Sequence, residues 1–255
     1  MTKELEGKTA LVTGASRGLG VHMALRLARG GALVAVNYAS DEAAANETVR
    51  LIEKEGGKAF AVQARLGSEV AARELADKLD VELTARTGGN RLDILVNNIG
   101  GGDYGGIRDT DEAMYDQMFD NNVKGPFFLT RALYERLNDF GRVINISSTG
   151  ARLTDPSIIV YTMAKTAVEA FTRVLALELG KRGITVNSVA PGFTAGPTND
   201  YIVNDPVSAK QVTDITALNR FGQPEEIADV VYFLASSAGR WVTAQHIEAS
   251  GGFRL

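Results

Sequence analysis

TALVTGASRGLG, residues 9–20, is the stretch on which the reading of the fold turns. Thr9 to Thr13 are apolar or β-branched and read as a short buried strand. Gly14, Gly18 and Gly20 then punctuate a turn, and a helical pattern runs on through Leu25, Leu27 and Ala28 to a stop at Gly30 and Gly31. Strand, glycine turn and helix together make a seat for a dinucleotide. Glycines let the backbone approach a pyrophosphate, and the helix N-terminus offers N–H groups at its positive end. The spacing is Gly-x3-Gly-x-Gly rather than Gly-x-Gly-x-x-Gly, so the seat is inferred from its context and not from the general fingerprint.

Outward from this unit the same alternation repeats. Residues 32–37 read as a second strand, 41–55 as a helix with Asp41 as its cap, 58–63 as a third strand and 68–87 as a helix. A fourth strand spans 92–96, and Thr110 or Asp111 caps a long helix through Leu137. Asn122, a mediocre helix former, interrupts that helix in its middle. Strands follow at 143–146, at 184–189 (broken by Pro191 and Gly192) and at 245–249. A helix with Pro224 in its first turn precedes the last of them. Residues 194–216 are polar, carry Pro197 and Pro206, and read as a substrate lid with a short helix. The expectation is an α/β fold: one domain over 1–255 with a doubly wound parallel sheet of about seven strands and helices on both faces. Ligands in such sheets bind at the strands' C-terminal ends, where the glycine turn, Asn97 and Asn98, Ser148, and Pro191 and Gly192 converge.

Composition narrows the function classes. With 255 residues, 45% hydrophobic and 23% charged, the chain has enough apolar mass for a sizeable core. A net charge of -4 argues against a nucleic-acid partner or an acidic membrane surface. No cysteine is present, which excludes disulfides, thiolate metal sites and a cysteine nucleophile. The two histidines, His22 and His246, have no second ligand type at metal spacing, so no metal site is expected. Residues 1–8 are of mixed charge and unlike a signal peptide, and no apolar run approaches the roughly 20 residues of a membrane helix. A cytoplasmic protein is the expectation.

The chemistry concentrates at residues 143–165. The strand there ends at Ser147 and Ser148, and Tyr161 opens a helical pattern through Ala164, Val168, Phe171, Leu175 and Leu179. Tyr161 and Lys165, four apart, share one helix face. A cation near a phenol favours the phenolate and lowers a pKa that is ordinarily about 10, which suits proton transfer. Taken alone the pair is equally a chance surface neighbourhood. The second strand's end, Asn37-Tyr38-Ala39-Ser40, lacks the carboxylate that usually binds a ribose 2′-hydroxyl. With Arg17 nearby it favours a 2′-phosphate and so NADP(H) over NAD(H), unless Arg17 is simply solvated. The run 100–106 either borders a substrate or is only a flexible connection.

Taken in order, Thr13-Gly-x3-Gly-x-Gly, Asn97-Asn-x-Gly, the strand-end Ser148, Tyr161-x3-Lys165 and Pro191-Gly192 make the whole chain resemble the short-chain dehydrogenase/reductase family. Within it the resemblance is greatest to 3-oxoacyl-[acyl-carrier-protein] reductases and related NADPH-dependent carbonyl reductases. The resemblance implies a Rossmann-type fold and reduction of a ketone or 3-oxoacyl thioester to an alcohol. Tyr161 would give the proton, Lys165 would acidify Tyr161 and bind the nicotinamide ribose, and Ser148 would hold the substrate oxygen while Ser147 faces away. Asn122, ahead of Gly125, would hold a water connecting Lys165 to solvent. The cofactor would lie along Gly14, Ser16, Arg17, Gly18, Leu19 and Gly20, then Asn37, Tyr38, Ala39 and Ser40. Arg65 and Leu66, then Asn98, Ile99 and Gly100, would continue its path to Tyr161, Lys165, Pro191, Gly192, Phe193 and Thr194. A homotetramer (or homodimer) is also implied, with the last helix and strand at its interfaces.

Several residues depart from that pattern. Ile99 stands in place of alanine, Arg65 in place of Asp or Asn, and Ala249-Ser250 in place of Val-Asp. Gly196 replaces a threonine, leaving Thr194 or Thr198 to substitute for it. Candidate pocket residues are Tyr104, Arg152, Leu153, Ile159, Phe193 and Tyr201, each equally assignable to surface or core. Their apolar tilt points to a hydrophobic or aromatic carbonyl. Trp241 belongs either to an interface or to the interior. The competing class is a non-catalytic NADP-binding sensor on the same fold, whose members typically lose the tyrosine or lysine retained here.

Overall fold

The computed structural model describes residues 3–255; Met1 and Thr2, which open the mixed-charge N-terminal segment, lie outside the described residues. The first half alternates β1 (Thr9–Val12), α1 (Leu19–Arg29), β2 (Leu33–Tyr38), α2 (Glu42–Lys54), β3 (Lys58–Gln63), α3 (Glu69–Thr87) and β4 (Leu92–Asn97). The second half holds α4 (Glu112–Phe119), α5 (Gly125–Leu133), β5 (Leu137–Ile146), α6 (Ile159–Leu179) and β6 (Thr185–Pro191). It continues through α7 (Asp200–Val203), α8 (Pro206–Asp214), α9 (Pro224–Ala235) and β7 (His246–Ala249). All strands pair in parallel in the order β3-β2-β1-β4-β5-β6-β7. The winding reverses between β1 and β4, which opens a crevice beyond Val12 and Asn97.

Burial explains why these runs are strands. Every residue of β1, β4 and β6 is buried, as central strands covered on both faces must be. Side chains alternate between two apolar layers. Ala10 and Val12 join α1 and α9 through Leu27 and Val231, while Leu11 joins α3, α5 and α6 through Leu75, Leu129 and Leu175. Helix starts follow the capping residues: Asp41, Ser68 and Asp111 accept from the N–H groups of Ala44, Ala71 and Met114. Pro224 sits in the first turn of α9, where Gln223 and Glu226 form a capping box. No described helix is long and apolar enough to cross a membrane.

Four expectations are corrected. The single helix expected through Leu137 is instead α4, a π-helical turn at Asp120–Lys124 carrying Asn122, and α5. Leu137 already belongs to β5, where it pairs with Leu92, and the register shifts before Arg142 pairs with Ile94. β5 is therefore longer than its apolar end at 143–146, because its N-terminal half is polar and gives no strand pattern. Residues 194–216 hold two short helices rather than one, since Asp205 caps a new helix ahead of Pro206. β6 runs on through Pro191, which pairs with Ala249, so the chain turns at Gly192.

Candidate active site

Four neighbouring strand ends meet at the crevice. After β1, Gly14 and Gly18 take φ of 61° and 57°, the left-handed region open to glycine. A Cβ on Gly20 would lie 2.4 Å from the Gly14 carbonyl, so only glycine lets α1 pack this closely on the turn. α1 has no side-chain cap and no acidic residue in its first turn. A Cβ on Gly18 would meet nothing within 4 Å. An uncapped helix N-terminus beside open space suits a diphosphate.

The turn is braced from behind. Asn37 is fully buried: its Oδ1 accepts from Gly14 N at 3.3 Å, and its Nδ2 donates to the carbonyls of Val62 and Ala64 at 3.2 Å each. Expected as a cofactor contact, Asn37 instead has its amide committed to shaping the turn. Tyr38 and Leu66, also expected to touch the cofactor, are buried in the two apolar layers. Asn98 Nδ2 donates to Thr13 O at 2.8 Å, and Thr13 Oγ1 accepts from the N–H groups of Asn98 and Ile99. Ile99 is held against the glycine turn, its Cγ1 3.2 Å from where a Cβ of Gly14 would be. Arg17, Ser40 and Arg65 are exposed, and neither arginine pairs with a carboxylate among the described residues. Asp41 is spent on its cap.

Ser148, two residues past β5, opens a 3₁₀ turn, its Oγ accepting from Gly150 N at 3.0 Å. Ser147 does face away: it is buried and donates to Glu169 at 3.2 Å. Tyr161 lies on the first turns of α6 with its ring over Gly150, where a Cβ would come within 2.8 Å of Cε1. Thr162 pins that turn by donating to Gly150 O at 2.9 Å. Across the cleft Tyr104, from the 100–106 loop, meets Tyr161 edge to face with centroids 5.3 Å apart. That loop therefore borders Tyr161.

The electrostatics differ from expectation. Burial pushes the Tyr161 phenol up to about 12; the Ser148 hydroxyl acts in the opposite direction, and Tyr104 adds to the rise. The Lys165 amine hydrogen-bonds the backbone and not the phenol. The amine is buried, donates to Ile146 O at 2.9 Å and sits 5.7 Å from the Tyr161 ring centroid. Burial also brings its own pKa down to about 8. Asn122 is buried on the π-turn, accepting from Gly101 N at 3.1 Å and donating to Met118 O at 2.8 Å. It clamps the 100–106 loop, a role the sequence reading did not assign. Gly100 lies between the two, because a Cβ there would meet Asn122 Oδ1 at 2.7 Å and Lys165 Nζ at 2.9 Å.

Past β6, Gly192 packs on Ser250 so tightly that a Cβ would lie 2.7 Å from its Cα. Phe193 meets Phe253 at 5.1 Å, and the Thr194 hydroxyl turns inward to Gly192 O at 3.1 Å. Thr198 is exposed on the lid. The sequence pattern singles out neither Thr162 nor Gly150. Their roles are contacts between segments, which leave no periodic trace.

A family model described as Enoyl-(Acyl carrier protein) reductase matches residues 14–254. An uncharacterized oxidoreductase of Methylorubrum extorquens is 45% identical over 253 residues, covering 98% of this chain and 99% of that protein. A protein named probable tetrahydroxynaphthalene reductase, from Zymoseptoria tritici, is 39% identical over 261 residues, covering 98% and 96%. Among solved structures, an angucycline C-6 ketoreductase crystallised with bound NADP superposes with a TM-score of 0.94 at 42% identity, covering 100% of this chain and 98% of that one.

Proposed function

This chain belongs to the short-chain dehydrogenase/reductase family and is an oxidoreductase, and from that premise we propose that it uses NADPH to reduce a ketone on an aromatic, polycyclic substrate. The observation that carries the reading is the Tyr161 phenol, its pKa pushed up by burial, beside the Ser148 hydroxyl and edge to face with Tyr104. A proton donor must hold its proton until the substrate oxygen gains charge, and burial keeps this one neutral at physiological pH. Substrate class is drawn from the similar reductases of naphthalene and angucycline substrates, together with Tyr104 and the exposed lid residue Tyr201.

The glycine turn and the α1 N-terminus would hold the pyrophosphate, and Arg17, Ser40 and Arg65 the 2′-phosphate. Lys165 would reach the nicotinamide ribose, and the 192–194 backbone the carboxamide. When bound, NADPH supplies hydride from nicotinamide C4. Ser148 Oγ donates a hydrogen bond to the substrate oxygen and fixes its position. Tyr161 Oη gives that oxygen its proton as negative charge builds. With a pKa near 8, Lys165 is largely protonated at neutral pH, a cation that favours the phenolate left behind.

The test follows NADPH and NADH oxidation against polycyclic aromatic ketones and 3-oxoacyl thioesters, with Tyr161→Phe as control. Aromatic ketone turnover that falls about 10²–10⁴-fold in the variant supports the reading. Thioester turnover alone would replace the substrate class. Nucleotide binding with no turnover of any carbonyl would leave the sensor.

A homo-oligomer, expected as a tetramer, is part of the same proposal. Phe127 and Phe171 touch with centroids 5.7 Å apart, and exposed Val174 and Leu177 continue that face along α6. Trp241 is 95% exposed, which rules out its interior placement within the chain and fits an interface. Light scattering reporting a monomer at micromolar concentration would refute this part.

A further inference from the structure

We propose that Arg152 is a positioning residue that ties the C-terminal segment, and through it both ends of the lid, to the turn carrying Ser148. Arg152 lies four residues beyond Ser148, at the end of the 3₁₀ turn Thr149–Ala151. The inner side of that turn is pinned to α6, where Thr162 and Thr166 donate to the carbonyls of Gly150 and Ala151 at 2.9 and 3.1 Å. Its outer side is held by Arg152 alone of the turn's side chains. The guanidinium grips Glu248 of β7 with both prongs, Nε to Oε2 at 2.6 Å and Nη2 to Oε1 at 2.8 Å. The same group donates to Arg254 O at 3.1 Å and to Phe253 O.

What Arg152 grips is in turn bound to the lid. Ser250 Oγ donates to Glu248 and accepts from Phe253 N at 3.1 Å, which curls the last residues back on β7. Residues 251–254 then pair with the segment leaving the lid. Ala217 N donates to Gly252 O at 3.1 Å, Leu218 N to Gly251 O at 3.0 Å, and Arg254 N to Ile215 O at 2.8 Å. The start of the lid rests on the same segment through the Phe193–Phe253 contact at 5.1 Å. Both lid ends therefore bear on residues 251–254, and those bear on Arg152.

An isolated surface ion pair contributes little, and Arg152 is partly exposed. A planar fork that also holds two backbone carbonyls is a different device, because a point charge cannot reproduce its geometry. With 194–216 as the substrate lid and Ser148 on the substrate oxygen, this strap fixes how far the lid stands from the Ser148 turn. The consequence falls on substrate binding more than on the chemical step.

The proposal rests on the assignment of Ser148 to the substrate oxygen, so its test includes one arm that needs no turnover. Arg152→Met should raise KM for the ketone about tenfold with a smaller change in kcat and an unchanged KM for NADPH. Trypsin should cut the lid at Lys210, an exposed site, several-fold faster in the variant than in wild type. Arg152→Lys should recover only part of each effect, since it restores charge without the fork. Glu248→Gln should reproduce both changes, and its combination with Arg152→Met should add little to either single variant. If Arg152→Met folds poorly, Glu248→Gln alone decides. Wild-type KM and wild-type lid cleavage in Glu248→Gln, or fully additive effects in the pair, would overturn the strap. If wild type turned over no carbonyl, the functional reading would fail while the cleavage rates still judged the strap.

Discussion

Replacing Lys165 by methionine is expected to abolish activity while leaving the fold as stable at pH 7, or more so. The amine is buried and, among the described residues, has one acceptor, Ile146 O, for three N–H donors. Burial lowers its pKa from 10.5 to about 8. Between these values the unfolded chain binds the extra proton and the folded chain does not, so stability rises with pH across that window. Below pH 8 both states are charged and the folded one bears the full cost, about 3 kcal/mol in order of magnitude. Methionine has no such cost but leaves the Ile146 carbonyl short of a partner, a loss of about 1–3 kcal/mol. The near cancellation at pH 7 makes the pH dependence the decisive quantity. Urea unfolding of both proteins at pH 7 and about pH 9.5 should show wild type gaining about 2 kcal/mol relative to the variant. Parallel stability curves would refute the claim that a buried, poorly solvated ammonium is what the active site carries.

Three further outcomes follow from the same geometry. Gly150→Ala should cut kcat about 10²-fold with the protein still folded by circular dichroism, because the new methyl group occupies space 2.8 Å from Tyr161 Cε1. Asn37→Ala should cost about 2–4 kcal/mol in chemical denaturation and weaken NADPH binding, since Gly14 N and the Val62 and Ala64 carbonyls lose their partner. Ketone reduction should decline as pH rises through about 8, where Lys165 loses its proton, and kcat measured from pH 6 to about 10 checks the limb. Tyr161, held near 12, should contribute no limb in that range.

Much of the fold was legible in residue order alone. Apolar runs such as 9–13 and 92–96, each followed by glycines or asparagines and a helical period, specify parallel strands with crossover helices, because a strand buried on both faces has almost no other arrangement. Caps are local, so Asp41, Ser68 and Pro224 marked their helices from sequence. β5 was misjudged because its first half pairs through backbone groups that any residue supplies. The break around Asn122 was noticed, but whether a helix tightens, widens or stops there depends on what its side chain finds.

The sequence by itself determined which groups share a strand end or a helix face, since both follow from fixed backbone periods: Ser148 just past β5, and Tyr161 with Lys165 on one face of α6. Only the tertiary structure decided what surrounds them. It committed the Asn37 amide to the glycine turn, set Tyr104 against Tyr161 and placed the Lys165 amine on the Ile146 carbonyl. Proximity along a helix says which charges are neighbours, whereas their pKa values depend on water exclusion by residues distant in sequence. Burial reversed the expected direction for the phenol, and no spacing rule encodes it.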